Sequence, residues 1–327
     1  MTTTLGDQAI VGRLLCDSIG AEGGSGGVNE IRFKDQIRLD SRNEEAGIAI
    51  GTGITNQNPR SIAIGDDAAQ FNQGQNSVAI GHRAGQGGQG QNCVAIGLNS
   101  GENGQNEGAT AVGFFSGKVN QGLFGTAFGF QAGETNQGNS ATACGENAGQ
   151  TNQGENACAF GHDAGDDNQS EFAAAFGYRA GFRRQQENAL ALGHAAGETD
   201  QQENAIAVGL NAGLVLQQND SVAVGHDAGE YNQKEKSVSI GYEAGQQQQG
   251  ENAVAIGAGA GKGLAPPGIG QHEKSIIINA RGNLTPLNSD KQEAFFVAPI
   301  ATRNAPAAPN NYPLYYDTTN NEIYYLV

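Results

Sequence analysis

One feature constrains this chain more than any other: a glycine closing an apolar triplet recurs every 16 residues with no insertion. It stands at Gly65, Gly81, Gly97, Gly113, Gly129, Gly145, Gly161, Gly177, Gly193, Gly209, Gly225, Gly241 and Gly257. The clearest copy is Asn76-Ser77-Val78-Ala79-Ile80-Gly81-His82-Arg83-Ala84-Gly85. Ala or Ser stands three residues after every one of these glycines. A second Gly follows in all copies but the first, which has Ala69. Half a period away runs a column of glutamines: Gln57, Gln73, Gln89, Gln105, Gln121, Gln137, Gln153, Gln169, Gln185, Gln201, Gln217, Gln233 and Gln249. A short period without drift specifies a solenoid that adds one coil per repeat.

Each coil is read as a strand at residues 77–80, a tight turn at 81–85, a second short extended piece, and a turn around Asn72-Gln73-Gly74. Glycine supplies the positive φ of such turns, and asparagine tolerates it next best. In the strand, Val78 and Ile80 point one way and Ala79 the other, so both faces are apolar. Alanine suits the thin interior of a narrow coil. The Val/Ile face then needs cover that one 16-residue coil cannot supply, and a second chain is expected to supply it. Stacked glutamine amides can bond along the axis as a structural ladder, and this is preferred over a ligand stripe, since a binding site seldom requires every coil.

Composition narrows the function classes. The 51 glycines lack a Gly-X-Y period, which excludes collagen, and the regular triplets exclude a disordered low-complexity chain. A formal charge of −16 opposes phosphate backbones and anionic lipid, so neither nucleic acid nor membrane insertion is expected. The longest apolar runs, such as residues 295–300, are too short to span a bilayer. No basic segment followed by an apolar run opens the sequence, so a signal peptide is not expected. Cys16, Cys93, Cys144 and Cys158 lack metal-ligand spacing. Cys144 and Cys158 fall 14 residues apart in different columns, a poor geometry for a bridge, which points to assembly in a reducing compartment.

Three regions are expected: residues 1–45 as an N-terminal anchor and cap, 46–263 as the repeat domain, and 264–327 as a C-terminal capping and trimerisation β region. Within the first, residues 1 to about 27 end in a Gly/Ser spacer, and residues 28–41 read as two short strands. Gly47-Ile48-Ala49-Ile50-Gly51 is an early strand copy, 14 residues ahead of the next. After Gly257 the register breaks. Pro266-Pro267 mark an inserted loop, and Ser275-Ile276-Ile277-Ile278-Asn279 reads as a terminal coil. A strand over 294–299, a Pro/Ala/Asn-rich connection over 304–313 and a hairpin with arms at 312–316 and 322–326 complete the chain.

Catalytic and metal chemistry finds little support. His82, His162, His194 and His226 share the position after the coil glycine, but Asp66, Leu98, Phe114, Glu146 and Tyr178 occupy it too, as befits a variable turn. Asp163, Asp166 and Asp167 resemble a hydrolase pair only in type; clustered in one turn, they read as solvated charges. No cofactor is expected. The turn dipeptides His82-Arg83, Leu98-Asn99, Phe114-Phe115, Tyr178-Arg179 and Tyr242-Glu243 replace one another on a fixed frame, so they are where a ligand would be read, or where drift is free.

The motif Ser-Val-Ala-Ile-Gly-x-x-Ala-Gly resembles the head repeats of trimeric autotransporter adhesins, the YadA-like heads. With Asn72-Gln73-Gly74, Asn136-Gln137-Gly138 and Asn152-Gln153-Gly154 it is closer to the 16-residue version in fibre proteins of giant viruses and phages. The tail, with Phe295-Phe296-Val297-Ala298-Pro299-Ile300, Leu314-Tyr315-Tyr316-Asp317-Thr318-Thr319 and Glu322-Ile323, resembles the C-terminal segment of such fibres. The resemblance implies an all-β fold, a left-handed parallel β-roll of 16-residue coils assembled as a homotrimer, with a small β C-terminal region. It also implies a non-enzymatic fibre on a virion surface, anchored to other particle proteins through its N-terminal segment and attaching to a host cell-surface glycan or protein. The secretion signal, stalk and membrane barrel of the bacterial members have no counterpart in the sequence. A glycan-degrading fibre and a bacterial-type adhesin head are the alternatives.

Overall fold

The computed structural model describes residues 47–55, 57–263, 270–282 and 286–299, and the backbone of 314–317 and 322–325. The expected N-terminal cap, the Pro266-Pro267 loop and the 304–313 connection lie outside the described residues.

Alternation in the triplet sets the architecture. Small residues face inward, larger ones outward, and each copy stacks on the last, giving a 16-stranded parallel sheet from Ile48–Ile50 to Phe295–Ala298. Thr142 pairs with Cys158 and Cys158 with Ala174, an offset of 16 residues. The offset is 14 at the first pairing, Ile48 with Ile62, as the early copy predicts. It widens to 22 between Val254 and Ile276 and to 19 between Ile276 and Phe295, so the same sheet continues through the coils after the register break. Fifteen such steps at about 4.8 Å make the sheet roughly 70 Å long. Among the described residues there is no helix, and the chain is a parallel β-solenoid.

The opposite side of the coil is extended but only partly a sheet. Six strands, from Asn103–Gln105 to Arg183–Gln185, pair in parallel, and isolated bridges continue the column on both sides. Each of these strands pairs through its first and third residues only, as Thr151 with Asp167 and Gln153 with Gln169. Its middle residue is left-handed: Asn120, Asn136, Asn152 and Asn168 have φ of 55–58°. Asparagine is the side chain that best tolerates this region.

This geometry corrects one expectation. The Asn-Gln-Gly triplet is not a turn; its glutamine ends the second strand, and the turn follows two residues later, at Gln75 and Asn76 in the first regular coil. The 81–85 turn and the inward alanine are as expected. Gly161 shows why its column is glycine. Its φ is +127°, and a Cβ there would lie 2.6 Å from the Gly177 carbonyl oxygen of the next coil.

The core is alanine. A continuous run from Ala127 to Ala228 is wholly buried, flanked by a shorter cluster from Ala63 to Ala95 and another around Ala244, Ala255, Ala260 and Ile277. Hydroxyls mark the first gap: Ser100 donates to the Ala111 carbonyl at 2.7 Å and lies 3.2 Å from Ser116. Ser239 marks the second. At the C-terminal end Leu314–Asp317 and Glu322–Tyr325 form the expected antiparallel hairpin, with Leu314 opposite Tyr325 and Asp317 opposite Glu322. The intervening residues 318–321 lie outside the described set.

Candidate functional site

Three features of the repeat concern function: an interior ladder, an apolar outer face and a variable corner. The glutamines form the ladder. From Gln89 through Gln105, Gln121, Gln137, Gln153, Gln169, Gln185, Gln201, Gln217, Gln233 and Gln249, each Nε2 donates to the Oε1 of the next at 2.8–3.2 Å. The same nitrogen reaches main-chain carbonyls; Gln153 donates to Thr142 at 2.9 Å and to Ala157 at 3.5 Å. All of these amides are buried. An amide so enclosed is stable only when its donors and acceptors are met, and here the next coil meets them.

The ladder has an end that the sequence does not show. Gln57 donates to the carbonyls of Ile48 and Ser61, and Gln73 to those of Ile62 and Ser77, and neither donates to the next glutamine. The buried Oε1 atoms of Gln73 and Gln89 have no partner. At the other end the last acceptor is Gln271, which the 16-residue count misses because the coil is six residues longer. Counting backwards from the strand finds it: Gln271 precedes Ser275 by four residues, as Gln73 precedes Ser77. Ser239 adds an unforeseen branch, its hydroxyl donating to Gln249 Oε1 at 2.6 Å. A second, exposed ladder runs outside the first: Asn120 donates to Asn136, Asn136 to Asn152 and Asn152 to Asn168, at 2.9–3.0 Å.

The outer face of the broad sheet carries the first and third residue of every triplet. Ile96, Phe128, Phe160, Leu192, Ile206, Ile240 and Ile256 are exposed there, between 36% and 56%. A strip two residues wide and 70 Å long presents roughly 700 Å² of apolar surface, beyond the few hundred found on isolated monomers. Where the third residue is phenylalanine the first is small, although Thr142 with Cys144 and Thr110 with Val112 leave their strands uncompensated. Phe128, Phe160 and Phe176 share their strands with Thr126, Cys158 and Ala174, whereas Leu192 and Ile256 share theirs with Leu190 and Val254. Cys144 and Cys158 belong to this face, half-buried and free, and Cys93 is buried inside.

The variable corner follows the glycine column. His162, Tyr178 and His194 stack with ring centroids 5.3 and 5.0 Å apart, and Phe114 stacks on Phe130 at 5.2 Å. His82 and His226 occupy the same column, the latter edge-on to Tyr242. Among the described residues no group of three or more His, Cys, Asp or Glu is arranged to hold a metal. The backbone is less permissive here than the sequence suggests. The second residue of each turn dipeptide is left-handed: Arg83, Asn99, Phe115, Arg179 and Glu243 have φ of 51–57°.

Next to this corner runs a polar seam. Gln86 donates to Gln70 at 2.8 Å, Gln131 and Gln150 both donate to Glu134, Arg179 pairs with Glu198 at 2.9 Å, and Gln246 donates to Glu230 at 2.7 Å. Asp166 occupies the seam where Gln70 and Gln86 stand elsewhere. Partial burial, helped by the charges of Asp163 and Asp167, raises its carboxyl to about 6. All three aspartates lie on one coil, in the turn and the start of the second strand, rather than facing one another across a cleft. No family model matches this chain, no curated protein matches it, and no solved structure matches it.

Proposed function

We propose that the chain is a structural attachment fibre, a homotrimer whose apolar faces are buried against one another and whose turns meet a cell-surface partner. The observation that carries the first half is the outer face. Its area approaches the ~800 Å² per partner of a stable interface. Two side chains on one strand and one face need not compensate in size for their own sake. The three phenylalanine strands of this face do so, Phe128 with Thr126, Phe160 with Cys158 and Phe176 with Ala174, and one body lying over both positions, a second copy with the same repeat, accounts for it. Three-fold assembly, the left-handed roll and the virion surface come from the resemblance to viral fibre and YadA-like head repeats. A non-enzymatic role agrees with aspartates gathered on one coil, since glycan cleavage by two carboxyls places them on opposite sides of the bond.

Light scattering at micromolar concentration tests the assembly: a trimer mass is expected, and a monomer mass refutes it. Ile80→Asp with Ile96→Asp is expected to dissociate or unfold the assembly by placing charges on the covered face. Replacing the turn dipeptides of several coils with Ala-Asn tests the contact. Asn suits the left-handed position, so the fold is retained, and loss of attachment to host cells is expected. Unchanged attachment by an intact trimer moves the contact to the C-terminal region.

A further inference from the structure

The corner opposite the variable turn holds a groove that the attachment reading leaves unused. It has a volume of about 540 Å³ and is lined by amides and carboxylates, among them Asn152, Asn168, Gln186, Glu187, Gln202 and Asn219. A second groove of about 280 Å³ shares Gln202 and Asn219 and extends the first along the axis towards Glu235. The floor is close-packed main chain: a Cβ on Gly154 would lie 2.5 Å from the Glu171 nitrogen of the next coil.

Beside this groove is a side chain that the fold does not ask for. Phe172 directly follows the lining residue Glu171 and is left-handed, with φ 57°. Its counterparts one coil before and one coil after are Asn156 and Asn188, residues suited to that conformation. A bulky side chain there costs about 1 kcal/mol. The ring is 51% exposed, so only about half of its surface is available to offset that cost. Phe124, three coils earlier in the same column, shares this conformation, and each ring leaves half or more of its surface open to a contact outside the chain.

We infer that this corner binds a glycan chain free of acidic groups, laid along the axis with a sugar face on Phe172. Side-chain amides and carboxylates are the groups that donate to and accept from vicinal hydroxyls, and the exposed ring supplies the flat apolar face that a pyranose covers. A peptide partner would meet no apolar pocket in the first groove, whose lining is polar apart from Gly154, and a single apolar side chain, Leu216, in the second. Acidic sugars are opposed by charge at the first groove, which Glu171, Glu187 and Glu203 line without a lysine or arginine, whereas in the second Asp200 and Glu235 are paired with Arg184 and Lys236. Length follows from the repeat. Successive coils offer the same columns in register, so a polymer can use the two grooves together where a monosaccharide uses a fraction of one.

The inference rests on the attachment reading only for its biological setting. Its test uses free sugars and no cells, so its failure leaves the mass and attachment experiments intact. Isothermal titration of the full chain with maltohexaose, chitohexaose and a hyaluronan hexasaccharide is expected to show binding of at least one neutral chain and none of hyaluronan. Phe172→Asn restores the residue of the neighbouring coils, so its melting temperature is expected to hold or rise while binding weakens about tenfold. Glu187→Ala, at an exposed position, is expected to weaken binding without loss of fold. No binding of either neutral hexasaccharide, tighter binding of hyaluronan, or wild-type affinity in either variant overturns the proposal.

Discussion

The coils between Asn103 and Gln185 and those before them share one repeat and differ in how far it closes. In the central coils the second side is a true sheet, the glutamine ladder is continuous and an asparagine ladder runs outside it. In the N-terminal coils the second side has only isolated bridges, Gly87-Gly88 stand where Thr-Asn stands centrally, and two ladder acceptors are buried without partners. A repeat therefore does not deliver equal stability to every coil. A solenoid is a sum of coil and interface terms, and the interface terms are weaker at the N-terminal end.

The largest test removes one rung from each region. Gln153→Ala deletes the acceptor of Gln137 and the donor to Gln169, and also leaves the Thr142 and Ala157 carbonyls without the amide. Gln169 Oε1 is left buried without a partner while the Gln137 nitrogen keeps the Thr126 carbonyl, and the expected loss is about 2 kcal/mol. Gln73→Ala deletes only donations to Ile62 and Ser77, from a side chain whose oxygen is already unpartnered, and the expected loss is about 1 kcal/mol. Urea unfolding of the two variants measures the difference. Equal losses would erase the distinction between the regions.

Hydrogen exchange probes the same difference without mutation. The amide of Thr151, bonded to Asp166 inside the continuous sheet, is expected to exchange more slowly than that of Phe71, bonded to Gln86 in an isolated run. Faster exchange at Thr151 would place the weak end of the solenoid in its centre.

Much of this was legible in the sequence, and the misses have physical causes. Alternation at Val78-Ala79-Ile80 and the 16-residue glycine column gave the strand, the inward alanine and the parallel stacking. The 14-residue spacing to Ile48 gave the short first coil. Asn-Gln-Gly has turn composition, which points to a turn; the left-handed Asn in fact sits in the middle of an extended segment that pairs on either side of it. The ladder's end was hidden because Gln57 and Gln73 look like every other glutamine. What differs is whether the side chain reaches the next coil, which a residue letter does not carry.

A smaller effect separates the regions by charge. The seam holds uncharged Gln70 and Gln86 in the N-terminal coils and Asp166 in a central one. The Asp166 carboxyl titrates at about 6 in the folded protein against an ordinary 3.8. The native state thus binds the proton more tightly, and stability falls as pH rises from about 4 to about 6, remaining lower above. Asp166→Asn is expected to stabilise the protein at pH 7 and to leave it unchanged at pH 3.5. Solvent screening of a partly exposed group holds the gain below about 1 kcal/mol. A melting temperature that does not change at pH 7 would show that neither the burial of this carboxyl nor the charges of Asp163 and Asp167 cost the folded state anything.

The smallest effect concerns a strained ring in a central coil. Phe124 is left-handed, with φ 55°, and 62% exposed, while Asn92 and Asn156 hold the same column with φ of 59° and 57°. Relief of the left-handed strain by Phe124→Asn is worth up to about 1 kcal/mol. Against it stands the ring's packing over Gly108, where an added Cβ would lie 2.5 Å from the ring. A half-open contact with one glycine recovers only part of a phenyl group's burial, so the net expectation is a gain of about 0.5 kcal/mol, read as a rise in melting temperature. The reverse exchange, Asn92→Phe, carries the same strain into the N-terminal coils and also removes the bond from Asn76 to Asn92 at 3.3 Å, so it is expected to destabilise. If Phe124→Asn instead destabilises, the ring is packed against something outside this chain, and the apolar face beside it is covered as far out as the corner.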